Sequence, residues 1–267
     1  MKNKIAGLIE VCDKEIYYEV IYPERRKPGV PFLVFLHEGL GSIRQWKDFP
    51  DTIAKMVNYP VLVYDRYGYG RSEALSETRT PDYLNKEAFD FLPKLLEELQ
   101  ITEKVFLIGH SDGGSIALLY ASKYPENILG LITEADHLFC EDITISGIKN
   151  AVKEYEKGKL KVSLSKFHGE KTDSMFYGWS DVWTAAENRH WNIEHHLSSI
   201  TCPVLAIQGK DDCYGSEKQL LSKKNNISGP VELMFIDDCG HVPHFQVMEE
   251  VKEKMLNFIE ACMISLN

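Results

Sequence analysis

The sequence predicts an α/β fold in which helices flank a mostly parallel central sheet of about eight strands. Short runs rich in Val, Ile and Leu recur along the chain, separated by longer stretches with helical periodicity. This alternation is typical of buried parallel strands covered by helices. With 267 residues, 44% of them hydrophobic and 26% charged, the chain has the composition of a globular protein built as one large domain.

Six apolar runs are predicted to be buried strands because each ends in polar or glycine residues. Two earlier runs, separated by Cys12-Asp13-Lys14, predict an antiparallel hairpin at the start of the sheet. The predicted strands are Ile5 to Val11, Glu15 to Tyr22, Pro31 to Leu36, Pro60 to Tyr64, Lys104 to Gly109, Ile128 to Glu134, Pro203 to Gln208 and Val231 to Ile236.

The predicted helices lie between these strands, and the last presents one apolar face to the sheet. They are Gln45 to Met56, Tyr83 to Leu99, Gly113 to Lys123, Ser216 to Lys224 and Val247 to Met263.

The alternation of strands and helices fails between Asp136 and Ser199. A structureless loop of this length is improbable in a compact domain, so we expect a helical insertion. Its position between two strands would set it as a lid over the carboxyl ends of the sheet, where open α/β sheets bind ligands. The predicted domains are residues 1–135 with 200–267 as the core and 136–199 as the cap.

The charge balance argues against polyanionic partners. The chain has 30 Lys and Arg against 40 Asp and Glu, a net charge of −10, which repels nucleic acid and anionic lipid. We therefore expect a small-molecule substrate, no nucleic acid or membrane partner, and a monomer or homodimer.

The six cysteines are scattered and form no C-x-x-C pair or metal-ligand cluster, which favours a reducing compartment. Glu10 comes before any apolar stretch of signal-peptide length, and no apolar run reaches the roughly 18 residues that a membrane span needs. The expected location is the cytoplasm, with no metal and no cofactor.

The strongest chemical motif is Gly109-His110-Ser111-Asp112-Gly113, between a predicted strand and a predicted helix. In this G-x-S-x-G context the serine lies on a strained turn that exposes its hydroxyl as a nucleophile. The alternative is a turn with an ordinary N-cap serine.

A serine nucleophile needs a histidine base and usually a carboxylate that orients it. Asp211 and Asp212 follow one late strand, and His241 and His244 follow the next. The order Ser, acid, His differs from that of trypsin-like and subtilisin-like proteases.

Together these motifs resemble the α/β-hydrolase superfamily over nearly the whole chain. The resemblance implies a cap after the sixth strand, and the family's G-x-x-D and Gly-His patterns imply Asp212 and His241 as the catalytic acid and base, with His244 as a rival base or a supporting imidazole. The motifs are His37-Glu38-Gly39-Leu40-Gly41, Asp65-Arg66-Tyr67-Gly68-Tyr69-Gly70-Arg71-Ser72, the serine turn, and the Gly209-x-x-Asp212 and Gly240-His241 strand ends.

The two expected donors of an oxyanion hole are the backbone amides of Asp112 and of Gly39, with Leu40 as the alternative to Gly39. Most relatives have His-Gly where this chain has His37-Glu38. Glu38 would then either face outward or select against anionic substrates.

The remaining candidate substrate contacts are Glu38, Leu40, Trp179, Trp183 and His244. The aromatic residues of the insertion, which include Phe176, Tyr177 and Trp191, could instead form its own core. His190, His195 and His196 are interpreted as solvated helix residues rather than as metal ligands.

The sequence thus predicts a serine hydrolase of the carboxylesterase type, which cleaves a small ester, lactone or related carbonyl compound through a covalent acyl-enzyme. The alternatives are a C–C bond hydrolase, an elimination enzyme like that of menaquinone synthesis, and a low-turnover ligand-binding protein like the hormone receptors of this superfamily. Haloalkane dehalogenases and epoxide hydrolases are disfavoured because they use a carboxylate where this chain has Ser111.

Overall fold

The computed structural model describes residues 3–24 and 29–265 and contains one eight-stranded sheet. The sheet order is β1-β2-β4-β3-β5-β6-β7-β8. The first two strands form the predicted hairpin, β2 pairs antiparallel with β4, and all later pairs are parallel. The predicted fold class is confirmed. The strands are β1 Asn3–Val11, β2 Lys14–Tyr22, β3 Phe32–Leu36, β4 Val61–Tyr64, β5 Val105–His110, β6 Ile128–Glu134, β7 Val204–Gly209 and β8 Val231–Ile236.

The helices cover both faces of this sheet. They are α1 Phe49–Val57, α2 Tyr83–Lys86, α3 Leu92–Glu98, α4 Asp112–Lys123, α5 Asp142–Glu156, α6 Lys159–His168, α7 Thr172–Thr184, α8 Glu217–Asn226, α9 Pro243–Gln246 and α10 Met248–Ile264.

Two predicted helices differ from the observed ones because of proline. The helix predicted from Gln45 begins instead at Phe49, where Pro50 fits the first turn and a 3-10 turn precedes it. The helix predicted over Tyr83 to Leu99 is interrupted by a π-helical turn at Glu87–Phe91, just before Pro93. Pro93 cannot donate to the Phe89 carbonyl, which accepts a hydrogen bond from the Tyr124 hydroxyl instead (3.3 Å).

The core lies on both sides of the parallel strands. Along β3, Val34 and Leu36 pack into one hydrophobic cluster, and Leu33 and Phe35 pack into the other. This alternation follows from the two-residue period of a strand. Because β3 and β5 to β8 run in the same direction, their carboxyl ends meet at one edge of the sheet.

The chain between β6 and β7 is helical and consists of α5, α6, α7 and short 3-10 turns, with one isolated bridge between Phe139 and Asn192. Helix α7 places Trp179 and Trp183 in the main hydrophobic cluster. Within residues 3–24 and 29–265, no helix has the length and apolar character that crossing a bilayer requires.

Candidate active site

Ser111 lies on a sharp turn between β5 and α4. Its backbone has φ 53° and ψ −119°, a conformation that costs a non-glycine residue about 1–3 kcal/mol. The surrounding structure compensates for this strain. The Ser111 N–H donates to the Glu134 carbonyl (2.8 Å), and the Ser111 carbonyl accepts from the Gly114 N–H (2.9 Å).

Two glycines make this turn possible because the chain approaches itself closely here. A Cβ on Gly109 would collide with the Gly113 carbonyl, and a Cβ on Gly113 would collide with the Leu36 carbonyl of β3. The G-x-S-x-G pattern is therefore a steric requirement of this strand-to-helix turn.

Asp212 and His241 are hydrogen-bonded at the ends of β7 and β8. The His241 Nδ1 lies 3.0 and 2.9 Å from the two Asp212 carboxylate oxygens. The carboxylate also accepts from the Tyr214 N–H (2.8 Å) and the Gln208 amide (2.6 Å). Burial would raise the pKa of Asp212, but His241 and the Tyr214 N–H outweigh it, so the pKa is lowered. The neighbouring Asp211 is exposed.

Ser111 and His241 line one cavity of about 220 Å³ at this edge of the sheet. Among the described residues, no hydrogen bond joins the Ser111 hydroxyl to His241. Catalytic hydrogen bonds are often long before substrate binds, so this arrangement is compatible with proton transfer. The cavity is lined by Glu38, Gly39, Leu40, His110, Ser111, Asp112, His137, Ile148, Trp179, Trp183, Tyr214, His241 and Val242.

The loop after β3 places Gly39 in the wall of this cavity. The Glu38 carbonyl accepts from the Arg66 guanidinium (2.8 Å), the His37 ring (2.8 Å) and the Gly41 N–H (3.0 Å). In a trans peptide the N–H points opposite to the C=O, so the Gly39 N–H is held on the other side. The Trp179 indole packs directly against Gly39, where a Cβ would collide with it.

Glu38 bears an ionised carboxylate beside the nucleophile turn. Its Oε2 lies 3.6 Å from the Nδ1 of the buried His110, an ion-pair distance. Burial would raise the pKa of Glu38, but His110 outweighs it and holds the pKa at about 2. Burial would lower the pKa of His110, but Glu38 outweighs it and the pKa is raised. The other ring nitrogen of His110 donates to the His241 carbonyl (2.6 Å).

His137 and Tyr214 line the cavity although the sequence analysis did not select them. The His137 ring stacks 6.3 Å from the His241 ring, and the Tyr214 ring lies 4.6 Å from it, measured between centroids. Burial, helped by the charge of His241, lowers the pKa of His137 to about 4. One available signal was position, because His137 follows β6 between the strands that bear the other candidates.

The other predicted contacts divide into two groups. Leu40, Trp179 and Trp183 line the cavity with Glu38. His244 does not; it is buried and binds Glu134 (2.7 Å), so its expected role in substrate binding is not supported by its position. No cluster of three or more potential metal ligands occurs within the described ranges.

Comparisons with known proteins agree with this architecture. The family model described as alpha/beta hydrolase fold matches residues 31–143. A proline iminopeptidase of Saccharolobus solfataricus is 26% identical, and the aligned region covers 99% of this chain and 95% of the peptidase. A 2-succinyl-6-hydroxy-2,4-cyclohexadiene-1-carboxylate synthase of Enterobacter sp. is 35% identical, but over only 42% of this chain and 40% of its own.

Solved structures match over almost the whole length. A putative lipase from Acinetobacter baumannii AYE superposes with a TM-score of 0.78 at 19% identity and covers 98% of this chain and 93% of its own. The fold, the family model and these relatives agree with one another. Residues 31–143 therefore match the alpha/beta hydrolase fold family, and the chain as a whole is similar to a proline iminopeptidase at 26% identity.

Proposed function

We propose that this protein is a serine hydrolase that cleaves a small ester, lactone or related carbonyl substrate through a covalent acyl-enzyme. The observation that carries the proposal is the meeting of a strained Ser111 and an Asp212-bound His241 in one cavity. These three side chains come from separate strand ends, and their convergence matches the roles of nucleophile, base and orienting acid. The match of residues 31–143 to the alpha/beta hydrolase fold and the similarity of almost the whole chain to a proline iminopeptidase support an enzyme.

In the proposed reaction the Ser111 oxygen bonds to the substrate carbonyl carbon while the His241 Nε2 accepts the hydroxyl proton. The carbonyl oxygen becomes an oxyanion and accepts hydrogen bonds from the amides of Gly39 and Asp112. His241 then gives its proton to the leaving group as that bond breaks. Water repeats the sequence on the acyl-enzyme and regenerates Ser111.

The cavity favours compact substrates without a negative charge near the scissile bond. Its volume of about 220 Å³ leaves room for a small acyl group, and Trp179, Trp183 and Ile148 provide apolar walls. As pH rises and His110 loses its proton, the ionised Glu38 repels anionic groups, which argues against a carboxylate substrate of the elimination enzymes. We also propose that residues 136–199 act as the cap, since all three walls belong to that segment.

The test is labelling with a fluorophosphonate probe, read by intact mass. We expect one label per wild-type chain, none on Ser111→Ala, and turnover of short-chain p-nitrophenyl esters that falls as the acyl chain lengthens. Folded wild-type protein that neither labels nor turns over would instead favour the low-turnover binder.

A second candidate is an aminopeptidase that releases an N-terminal residue by the same chemistry. It is supported by the proline iminopeptidase relatives, which match almost the full chain, and by the Glu38 carboxylate, which could pair with a substrate ammonium group. Faster cleavage of prolyl p-nitroanilide than of its N-acetylated form, with the preference lost in Glu38→Gln, would favour this candidate over an esterase.

A cytoplasmic location also remains our proposal. It is supported by the cysteines, all six of which are free thiols, as expected in a reducing compartment.

A further inference from the structure

A buried series of hydrogen bonds joins helix α7 to the nucleophile turn. The Trp183 indole N–H donates to the Tyr83 hydroxyl oxygen (2.9 Å), and the Tyr83 hydroxyl donates to Asp112 Oδ2 (2.6 Å). All three side chains are buried, with 2%, 9% and 1% of their surface exposed. Trp183 also lines the cavity, so this series starts at the surface that substrate would contact.

Arg66 extends the series to the second loop of the site. Its Nη2 lies 3.4 Å from Asp112 Oδ2 and donates to the Glu38 carbonyl at 2.8 Å. One guanidinium nitrogen therefore contacts both the residue after the nucleophile and the carbonyl that precedes the Gly39 amide. Arg66 is 1% exposed, so little water competes for these contacts.

The negative charge of Asp112 explains why contacts from Arg66 and Tyr83 would matter for catalysis. A buried carboxylate one residue after the nucleophile would oppose an oxyanion forming nearby, because charges interact strongly away from water. Arg66 neutralises that carboxylate, and Tyr83 gives it a short hydrogen bond. Together they also restrain the peptides whose N–H groups would bind the oxyanion.

We propose that Tyr83 and Arg66 are positioning residues that hold both oxyanion donors and tie their geometry to the cap through Trp183. The inference rests on the proposed serine hydrolase function. It adds a role for the Arg66 of the glycine-rich segment and for Tyr83, neither of which contributes an atom to the reaction.

Tyr64 provides a matched control for Tyr83. Its hydroxyl also donates to a buried carboxylate, Glu87, at 2.8 Å, and the residue is 2% exposed. Tyr64 makes no hydrogen bond to Asp112, Glu38 or Trp183 in the described part of the chain. Tyr83→Phe and Tyr64→Phe therefore each remove one buried hydroxyl that donates to a carboxylate, the first inside the series and the second outside it.

The experiment measures kcat and KM for a p-nitrophenyl ester, and the affinity of benzeneboronic acid, which mimics the tetrahedral intermediate. For Tyr83→Phe we expect kcat and boronate affinity to fall together by ~10-fold while KM changes less than about twofold, because oxyanion contacts form only in the transition state. Tyr64→Phe should keep the wild-type values. If Tyr83→Phe does not fold, Trp183→Phe breaks the same series, and its boronate affinity should fall by more than its affinity for the carboxylic acid product.

Three results would overturn the inference. The first is an equal kcat in Tyr83→Phe and Tyr64→Phe, and the second is a change in the KM of Tyr83→Phe with no change in its kcat. In both cases, labelling of wild-type Ser111 by the probe would leave the hydrolase proposal standing. The third is a wild-type protein that neither labels nor turns over, which would remove the hydrolase proposal together with the positioning role.

Discussion

Two hydrogen-bonded carboxylate–imidazole pairs lie near the nucleophile, and they differ in whether the imidazole reaches the cavity. Asp212–His241 is joined at 2.9 Å and Glu134–His244 at 2.7 Å. The His241 side chain is 16% exposed and lines the cavity, whereas the His244 side chain is 3% exposed. A histidine that is hydrogen-bonded to a carboxylate can act as a general base only where its imidazole reaches the nucleophile. Hydrogen bonding to an acid therefore does not by itself identify the base.

The surroundings explain why the second pair is structural. The His244 ring packs 4.7 Å from Trp46 and 5.3 Å from Phe49, measured between centroids. Burial would raise the pKa of Glu134, but His244 outweighs it and the pKa is lowered. The Glu134 backbone carbonyl also accepts a hydrogen bond from the Ser111 N–H. The Glu134–His244 pair therefore stabilises the nucleophile turn.

The sharpest test of the comparison replaces each histidine in turn with alanine. We expect His241→Ala to lower kcat by ~10⁴-fold, because the general base is lost. It should also destabilise the fold less than His244→Ala does, because Asp212 keeps its Tyr214 and Gln208 donors. His244→Ala should retain kcat within about tenfold per folded molecule, which active-site titration with the fluorophosphonate probe would measure. Comparable kcat losses in the two titrated variants would mean that access does not separate the pairs.

The neighbouring aspartates allow a second test. Asp212→Asn should lower kcat by about 10²–10⁴-fold, because an amide no longer stabilises the imidazolium or its required tautomer. The exposed Asp211→Asn is the matched control and should remain close to wild type. Steady-state ester hydrolysis measures both, and a larger loss in Asp211→Asn would transfer the acid role to that residue.

The buried pair is expected to matter for stability. His244→Ala leaves the Glu134 carboxylate without its partner and should cost about 3 kcal/mol in the free energy of unfolding, measured in urea. The double variant Glu134→Gln, His244→Ala should cost less than the sum of the single changes, since no buried charge remains. An additive double variant would show that the two groups do not interact.

The smallest expected effect concerns His110, whose ring centroid lies 5.1 Å from those of both His241 and His244. The lowered pKa of Glu38 stabilises the fold above its ordinary value of 4.5, and this is lost as pH falls toward about 2. The raised pKa of His110 stabilises the fold below its ordinary value of 6.5, and this is lost as pH rises. The ion pair is therefore strongest near pH ~5.5.

Glu38→Gln should accordingly cost about 1–3 kcal/mol in urea unfolding at pH ~5.5, and less at pH ~8 or ~3. A cost for Glu38→Gln that is constant across the three pH values would contradict the ion pair.

The strands were predictable because a parallel sheet buries them on both faces. Continuous apolar runs ended by glycine or polar residues placed β6 and β8 at their observed bounds and the other strands within about two residues. The order of β3 and β4 within the sheet was not predictable, because adjacency depends on long-range pairing. The π-helical turn before Pro93 was not predicted. The spacing of apolar residues indicates a helix but does not distinguish one wider turn within it from an α-helical turn.

The same division applies to the active site. Ser111 could be identified locally as a candidate nucleophile, since its strained turn requires glycines two positions before and two positions after it, and both are visible in the sequence. His137 offered only its position shortly after β6 as a signal. The place of both His137 and Tyr214 in the cavity depends on how the carboxyl ends of β6 and β7 approach each other.

The amino-acid sequence was sufficient for the fold class, for the strand ends that bear reactive groups and for the order in which the candidate nucleophile, acid and base occur along the chain. These properties come from short-range patterns: burial sets the apolar periodicity, and backbone sterics set the glycines. The folded chain was needed to separate His241 from His244 and to join Trp183, Tyr83, Asp112 and Arg66 into one series. Exposure and hydrogen bonding between residues far apart in the chain depend on three-dimensional packing, which no local pattern encodes.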